Sequence, residues 1–117
     1  MAAKYRAAII GHTGVGNYGH DLERVYQDMP EVDVVAVADP DQQGRQTVGA
    51  QLGVAHLYAD YREMLAKEDV DLVNVCPRAV GGHPDMVIAS VEAGAKGIFC
   101  EKPLAASLVE VDAMLAA

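Results

Sequence analysis

The chain has 117 residues, 51% apolar and 22% charged, the proportions of one globular domain with room for a core. Nine basic and seventeen acidic residues leave a net charge of −8, which repels nucleic-acid backbones and anionic membrane surfaces. No apolar run approaches the roughly 20 residues that cross a bilayer, and Met1 to Arg6 leads straight into a strand-like segment rather than a cleavable leader. The expectation is a cytoplasmic protein with neither nucleic acid nor membrane as partner.

Arg6 to Gly11 reads as the first strand, apolar on both faces through Ala7, Ala8, Ile9 and Ile10, as in a sheet covered on both sides. Asn17 to Met29 reads as a helix with Tyr18, Leu22, Val25, Tyr26 and Met29 on one face, stopped by Pro30. Val32 to Ala38 gives the second strand, ended by Asp39-Pro40. A weaker helix follows from Asp41 to Leu52, carrying Gly44 and Gly49 and closing at Gly53. A short strand at Ala55 to Tyr58 and a helical stretch from Tyr61 to Lys67 lead to the strand Val70 to Cys76. The helix Pro84 to Ala93 has proline in its first turn and Gly94 just past its end. Gly97 to Cys100 is the fifth strand, and a last helix starts near Ser107, whose spacing to Glu110 is that of a capping box. Such alternation with short loops predicts an α/β fold, a doubly wound parallel sheet in three layers.

In such a sheet ligands bind beyond the carboxyl ends of the strands. The loop Gly14-Val15-Gly16-Asn17-Tyr18-Gly19 lies between a strand and a helix. Its first glycine permits a tight turn, the second admits a pyrophosphate to the backbone, and the third lets the helix pack closely. A helix N-terminus there would offer free N–H groups to phosphates. An overlapping frame through Gly11-His12-Thr13-Gly14 is also open. Asp39, at the end of the second strand, is placed to accept ribose hydroxyls and to repel a 2′-phosphate, which favours NAD over NADP. Lys102, after the fifth strand, is a charged donor that could stand beside a nicotinamide and a hydroxyl-bearing substrate and assist proton transfer. Cys76 and Cys100 read as buried thiols, and the four histidines show no spacing of a metal site.

The set Gly14-x-Gly16-x-x-Gly19, Asp39, Val70-Asp71-x-Val73, Cys76-Pro77, His83, Ala93-Gly94 and Glu101-Lys102-Pro103 resembles the N-terminal Rossmann domain of the glucose–fructose oxidoreductase / inositol dehydrogenase family. The resemblance covers nearly the whole chain. It implies an NAD-binding domain over residues 1–117, incomplete at its C-terminal end and lacking the family's second domain. It also implies hydride exchange between nicotinamide and a secondary alcohol of a sugar or polyol, with the family's catalytic lysine at Lys102. By the same resemblance Gly14, Gly16, Asn17, Tyr18, Gly19, Asp39 and Glu101 line the cofactor site, with Cys76, Pro77 and His83 beside the nicotinamide ribose. Cys76 stands where the family commonly has threonine, Arg78 where it often has asparagine, and the loop to His83 is longer than usual.

Two other functions fit the residues. One is a stand-alone nucleotide-binding or regulatory module; the other, from the Gly11 frame, is a reductase of the semialdehyde or acyl-phosphate type with a nucleophilic cysteine. For the family reading, these 117 residues alone are expected to bind NAD without turning over substrate. An unpaired sheet edge would favour self-association into a homo-oligomer.

Overall fold

The computed structural model describes residues 4–117; the reading of Met1 to Ala3 as part of a leaderless start lies outside the described residues. Five strands, β1 (Tyr5–Ile10), β2 (Val32–Ala38), β3 (His56–Tyr58), β4 (Leu72–Val75) and β5 (Gly97–Cys100), form one sheet in the order β3-β2-β1-β4-β5. Every pairing is parallel. The chain steps outward from β1 to β3, then crosses back to place β4 on the other side of β1. Strand order therefore reverses between β1 and β4, and this is the Rossmann-like arrangement expected from the alternating pattern.

Alternate residues of the strands feed two cores. Ile9, Val37 and Cys76 point to one face, where Leu22 and Val48 cover them. Ile10, Ala38, Val73 and Val75 lie on the other, under Met64, Val87 and Met114. The covering helices are α1 (Gln42–Leu52) on the first face, and α2 (Tyr61–Lys67), α3 (His83–Glu92) and α4 (Leu108–Ala116) on the second. Their ends follow the sequence signals. Asp41 accepts the Gly44 amide at 2.8 Å, Asp60 the Arg62 amide at 2.8 Å, and Ser107 the Glu110 amide at 3.2 Å. Gly53 closes α1 in the left-handed conformation at φ 69°. Among the described residues no helix is long and apolar enough to cross a membrane.

The segment Asn17–Met29 departs from expectation. In place of an α-helix there is a short 3-10 helix, Gly19–Arg24, continued by turns. Asn17, His20 and Asp21 all adopt positive φ, near 53°, which no α-helix accommodates. The Gly19 amide donates to Cys76 O at 2.8 Å, and later amides close three-residue turns, Gln27 to Arg24 and Met29 to Tyr26. The apolar periodicity still did its packing work for Tyr18, Leu22, Val25 and Tyr26, which join the core. Met29 remains exposed.

Candidate functional site

Register places the site. Ile10 pairs with Ala38 and with Val75, and Val75 pairs with Cys100. The next residues, Gly11, Asp39, Cys76 and Glu101, therefore stand side by side along one edge of the sheet. Their amides continue the ladder: Gly11 to Ala38, Cys76 to Ile10 and Glu101 to Val75, at 2.8 to 2.9 Å.

The glycine loop folds back over this edge. His12 and Asn17 form an antiparallel bridge, and the amides of Val15 and Asn17 both donate to His12 O. Gly14 N donates to Asn17 Oδ1 at 2.9 Å. Two glycines are fixed by what they touch. A Cβ on Gly16 would strike the backbone of Arg78 and Ala79, whose own amide at 78 donates to Gly16 O at 3.0 Å. A Cβ on Gly19 would collide with the Glu101 carboxylate. Gly14 differs: it sits at φ 88° with nothing within 4 Å of a Cβ, so its face is open. The close packing expected between backbone and pyrophosphate is thus made, at Gly16, between two loops of the protein itself. The phosphate-facing helix end is replaced by a loop whose amides at Thr13, Gly14, Val15, Asn17 and Gly19 are already donated internally.

Asp39 is completely buried, and four donors converge on its carboxylate. Thr13 N and Asp41 N reach Oδ1 at 3.1 and 2.9 Å; Thr13 Oγ1 and Tyr18 Oη reach Oδ2 at 2.6 and 2.8 Å. The Tyr18 ring lies over Gly11, where any side chain would clash with it. Burial, and then the Asp39 bond, push the Tyr18 phenol far above its ordinary pKa. Behind the carboxylate, Gly44 at the start of α1 packs so closely that a Cβ there would strike Thr13. Arg45 directs its guanidinium to the carbonyls of Asp39 and Pro40, 3.3 Å from each. On the other face of the sheet, a cavity of about 400 Å³ opens at the ends of β1 and β2, bordered by Ile10, Ala38, Pro40, Tyr61 and Met86.

At the other end, Glu101 is 4% exposed and its carboxylate takes His20 Nδ1 at 2.9 Å and the Lys102 amide at 2.9 Å. Burial works to raise the Glu101 pKa, but the His20 bond, the Lys102 amide and nearby Arg78 together hold it below the usual glutamate range. The Lys102 side chain is exposed beside it. Cys76, Pro77 and His83, expected to line the nicotinamide ribose, are instead buried beneath the loops. Cys76 Sγ faces Asn74 O, and both His83 ring nitrogens face backbone carbonyls. The structure thus brings the expected residues to one edge but splits them into an open set (Gly14, Asn17, Lys102) and a bracing set.

Burial raises both thiols, Cys76 well above its ordinary value and Cys100 to about 11. This is the reverse of what a nucleophilic cysteine needs, and the acyl-phosphate type of chemistry has no support here. Sequence reading missed Thr13, His20, Gly44 and Tyr61. Thr13 and His20 flank the glycine loop, so proximity was a signal for them; Gly44 and Tyr61 reach the site only through the fold.

Comparison with known proteins agrees with this geometry. Residues 5–117 match the oxidoreductase family with an NAD-binding Rossmann fold, and the chain belongs to that family. It is 30% identical over 114 residues to D-apiose dehydrogenase of Paraburkholderia graminis, covering 97% of this chain and 29% of that protein. It is 32% identical over 106 residues to myo-inositol 2-dehydrogenase of Thermotoga maritima, covering 91% and 31%. Among solved structures, an Agrobacterium radiobacter oxidoreductase in complex with NAD+, L-tartaric acid and magnesium superposes with a TM-score of 0.83 at 25% identity, over 97% of this chain and 32% of that one. Myo-inositol 2-dehydrogenase of Lactobacillus plantarum gives 0.78 at 33% identity, over 97% and 32%. The chain spans less than a third of the length of these relatives.

Proposed function

We propose that residues 1–117 form the cofactor domain of an NAD-dependent oxidoreductase acting on a secondary alcohol of a sugar or polyol-like substrate. The observation that carries this reading is the in-register alignment of Gly11, Asp39, Cys76 and Glu101 along the edge where strand order reverses. Two features bear on whether a dinucleotide fits. Gly14 offers an open face and the cavity at the ends of β1 and β2 suits a planar base, whereas the Asp39 carboxylate is closed by Tyr18 and Thr13. Fit follows if a ribose hydroxyl replaces the Tyr18 hydroxyl, one O–H donor for another.

In this reading the cofactor supplies the hydride acceptor or donor. The chain's own groups bind and orient. Gly14, Gly16 and Asn17 border the phosphates, where the amides of Gly16 and Tyr18 donate to nothing among the described residues. Asp39 takes the adenosine ribose. A 2′-phosphate beside Asp39 and Asp41 would meet two carboxylates, and Arg45 is engaged with carbonyls, so NAD is favoured over NADP. Lys102 is the catalytic residue, donating to the substrate oxygen and assisting its proton transfer, with Glu101 fixing its backbone. Turnover then needs groups beyond these 117 residues, and the partner is a small molecule in the cytoplasm. The net charge of −8 supports the absence of nucleic-acid and membrane partners. β5 is an outer strand of the sheet with no strand beside it among the described residues, and Phe99 is 51% exposed there, which supports a homo-oligomer.

Calorimetry tests the reading: the chain should bind NAD more tightly than NADP, and Asp39→Ala should abolish the preference. Equal affinity for the two cofactors in the unaltered chain would overturn the ribose assignment.

A further inference from the structure

His83 opens α3, and its ring is 0% exposed. Nε2 faces Pro77 O at 2.5 Å, and Nδ1 faces Pro103 O at 2.9 Å. Carbonyls only accept, so each contact requires an N–H on the ring, and a neutral imidazole carries one such group, on Nδ1 or on Nε2. The two carbonyls belong to different loops. Pro77 follows β4 through Cys76, and Pro103 follows β5 through Glu101 and Lys102. The ring therefore lies between the ends of two adjacent strands, within hydrogen-bond reach of a carbonyl from each.

Lys102 sits between two tethers. On its N-terminal side the Glu101 carboxylate accepts the Lys102 amide at 2.9 Å. On its C-terminal side the Pro103 carbonyl stands 2.9 Å from His83 Nδ1, which holds it where that nitrogen carries the ring's N–H. Its side chain is left exposed, with its backbone then held at both ends. A reactive group with a fixed base and a free tip is the arrangement that preorganisation demands.

We propose that His83 is a positioning residue for Lys102, acting through the Pro103 carbonyl and touching no ligand itself. The proposal rests on the reading of Lys102 as the group beside nicotinamide and substrate. It replaces the expectation that His83 lines the ribose, which burial of the whole ring opposes.

Three variants separate this from a merely space-filling histidine. His83→Asn keeps an N–H donor where Nδ1 stood and so retains the Pro103 bond. His83→Gln keeps one where Nε2 stood and retains only the Pro77 bond. His83→Phe keeps bulk and neither bond; if it fails to fold, the Asn and Gln pair still decides. In NMR spectra the Lys102 and Leu104 amides should stay at their unaltered shifts in His83→Asn and move in His83→Gln. NAD affinity should fall about tenfold in His83→Gln, while affinity for ADP-ribose, which has no nicotinamide, stays within about twofold. Equal behaviour of the Asn and Gln variants, or parallel loss of both ligands, would overturn the positioning role. Should the unaltered chain bind neither ligand, the functional reading fails instead, and the amide shifts alone decide the role of His83.

Discussion

The phenol of Tyr18 donates to Asp39 Oδ2 at 2.8 Å, on the carboxylate to which the proposed function assigns a ribose hydroxyl. The carboxylate that the sequence suggests as a ribose acceptor takes its hydrogen bonds from Thr13, Tyr18 and Asp41 of the chain itself. Under the proposed function, NAD binding is a competition with the phenol, and the competition has a sign.

Tyr18→Phe removes the competing hydroxyl and leaves the ring over Gly11. A bond from a hydroxyl to a charged acceptor contributes about 1 to 2 kcal/mol at a half-buried site. The variant should be less stable by about that amount in urea, and should bind NAD up to about tenfold more tightly. Weaker NAD binding in Tyr18→Phe would mean that the phenol supports the ligand rather than competing with it.

The glycines of the loop should not respond alike to alanine. At Gly14 an alanine meets nothing and bears only the cost of its left-handed backbone, about 1 to 2 kcal/mol. At Gly19 it strikes a carboxylate that His20 and the Lys102 amide hold in place. Gly19→Ala should therefore destabilise more than Gly14→Ala in urea unfolding, by breaking the Glu101 network, despite the ordinary φ at that position. A reversed order would show that backbone conformation, and not the Glu101 contact, sets the requirement for glycine.

These contrasts show what the sequence made legible and what it did not. Strands declared themselves by continuous apolar runs such as Ala7 to Ile10, because both faces of a parallel sheet are buried. The residues that follow them could then be placed on one edge. The segment after the glycine loop misled, because Leu22, Val25 and Tyr26 have helical spacing whether or not the backbone between them is helical. The positive φ at His20 and Asp21 accompanies a long-range bond from the Gly19 amide to Cys76 O, a contact that no local pattern encodes. His83 and Cys76 adjoin the site segments in sequence, but the complete burial of both comes from the fold and from no local pattern.

The thiols give a simple check on the rejected chemistry. With burial raising both Cys76 and Cys100, neither should react quickly with an aromatic disulfide reagent in the folded chain at neutral pH. Both should react at once in denaturant. Rapid labelling of native Cys76 would return a nucleophilic cysteine to consideration.

Two buried glutamates should pull acid and neutral stability in opposite directions. Glu23 has Oε1 buried without a hydrogen-bond partner, and desolvation raises its pKa. Its favourable, protonated state is fully present below the unfolded value of about 4.3 and is lost as pH rises through the folded value. Glu23→Gln should therefore make the chain more stable at pH 7 and change little in acid. Glu101 is the reverse case. Its folded pKa lies below the ordinary value, so its contribution is present above about pH 4.3 and is lost as pH falls through the folded value. His20 is the principal group lowering that pKa, at 2.9 Å from Oε2. In His20→Ala, Glu101 should titrate nearer its unfolded value, and the loss of stability between pH 5 and pH 3 should shrink relative to the unaltered chain. Chemical denaturation across that pH range measures both effects. An unchanged acid slope in His20→Ala would show that the Lys102 amide, rather than the imidazole, holds the Glu101 charge.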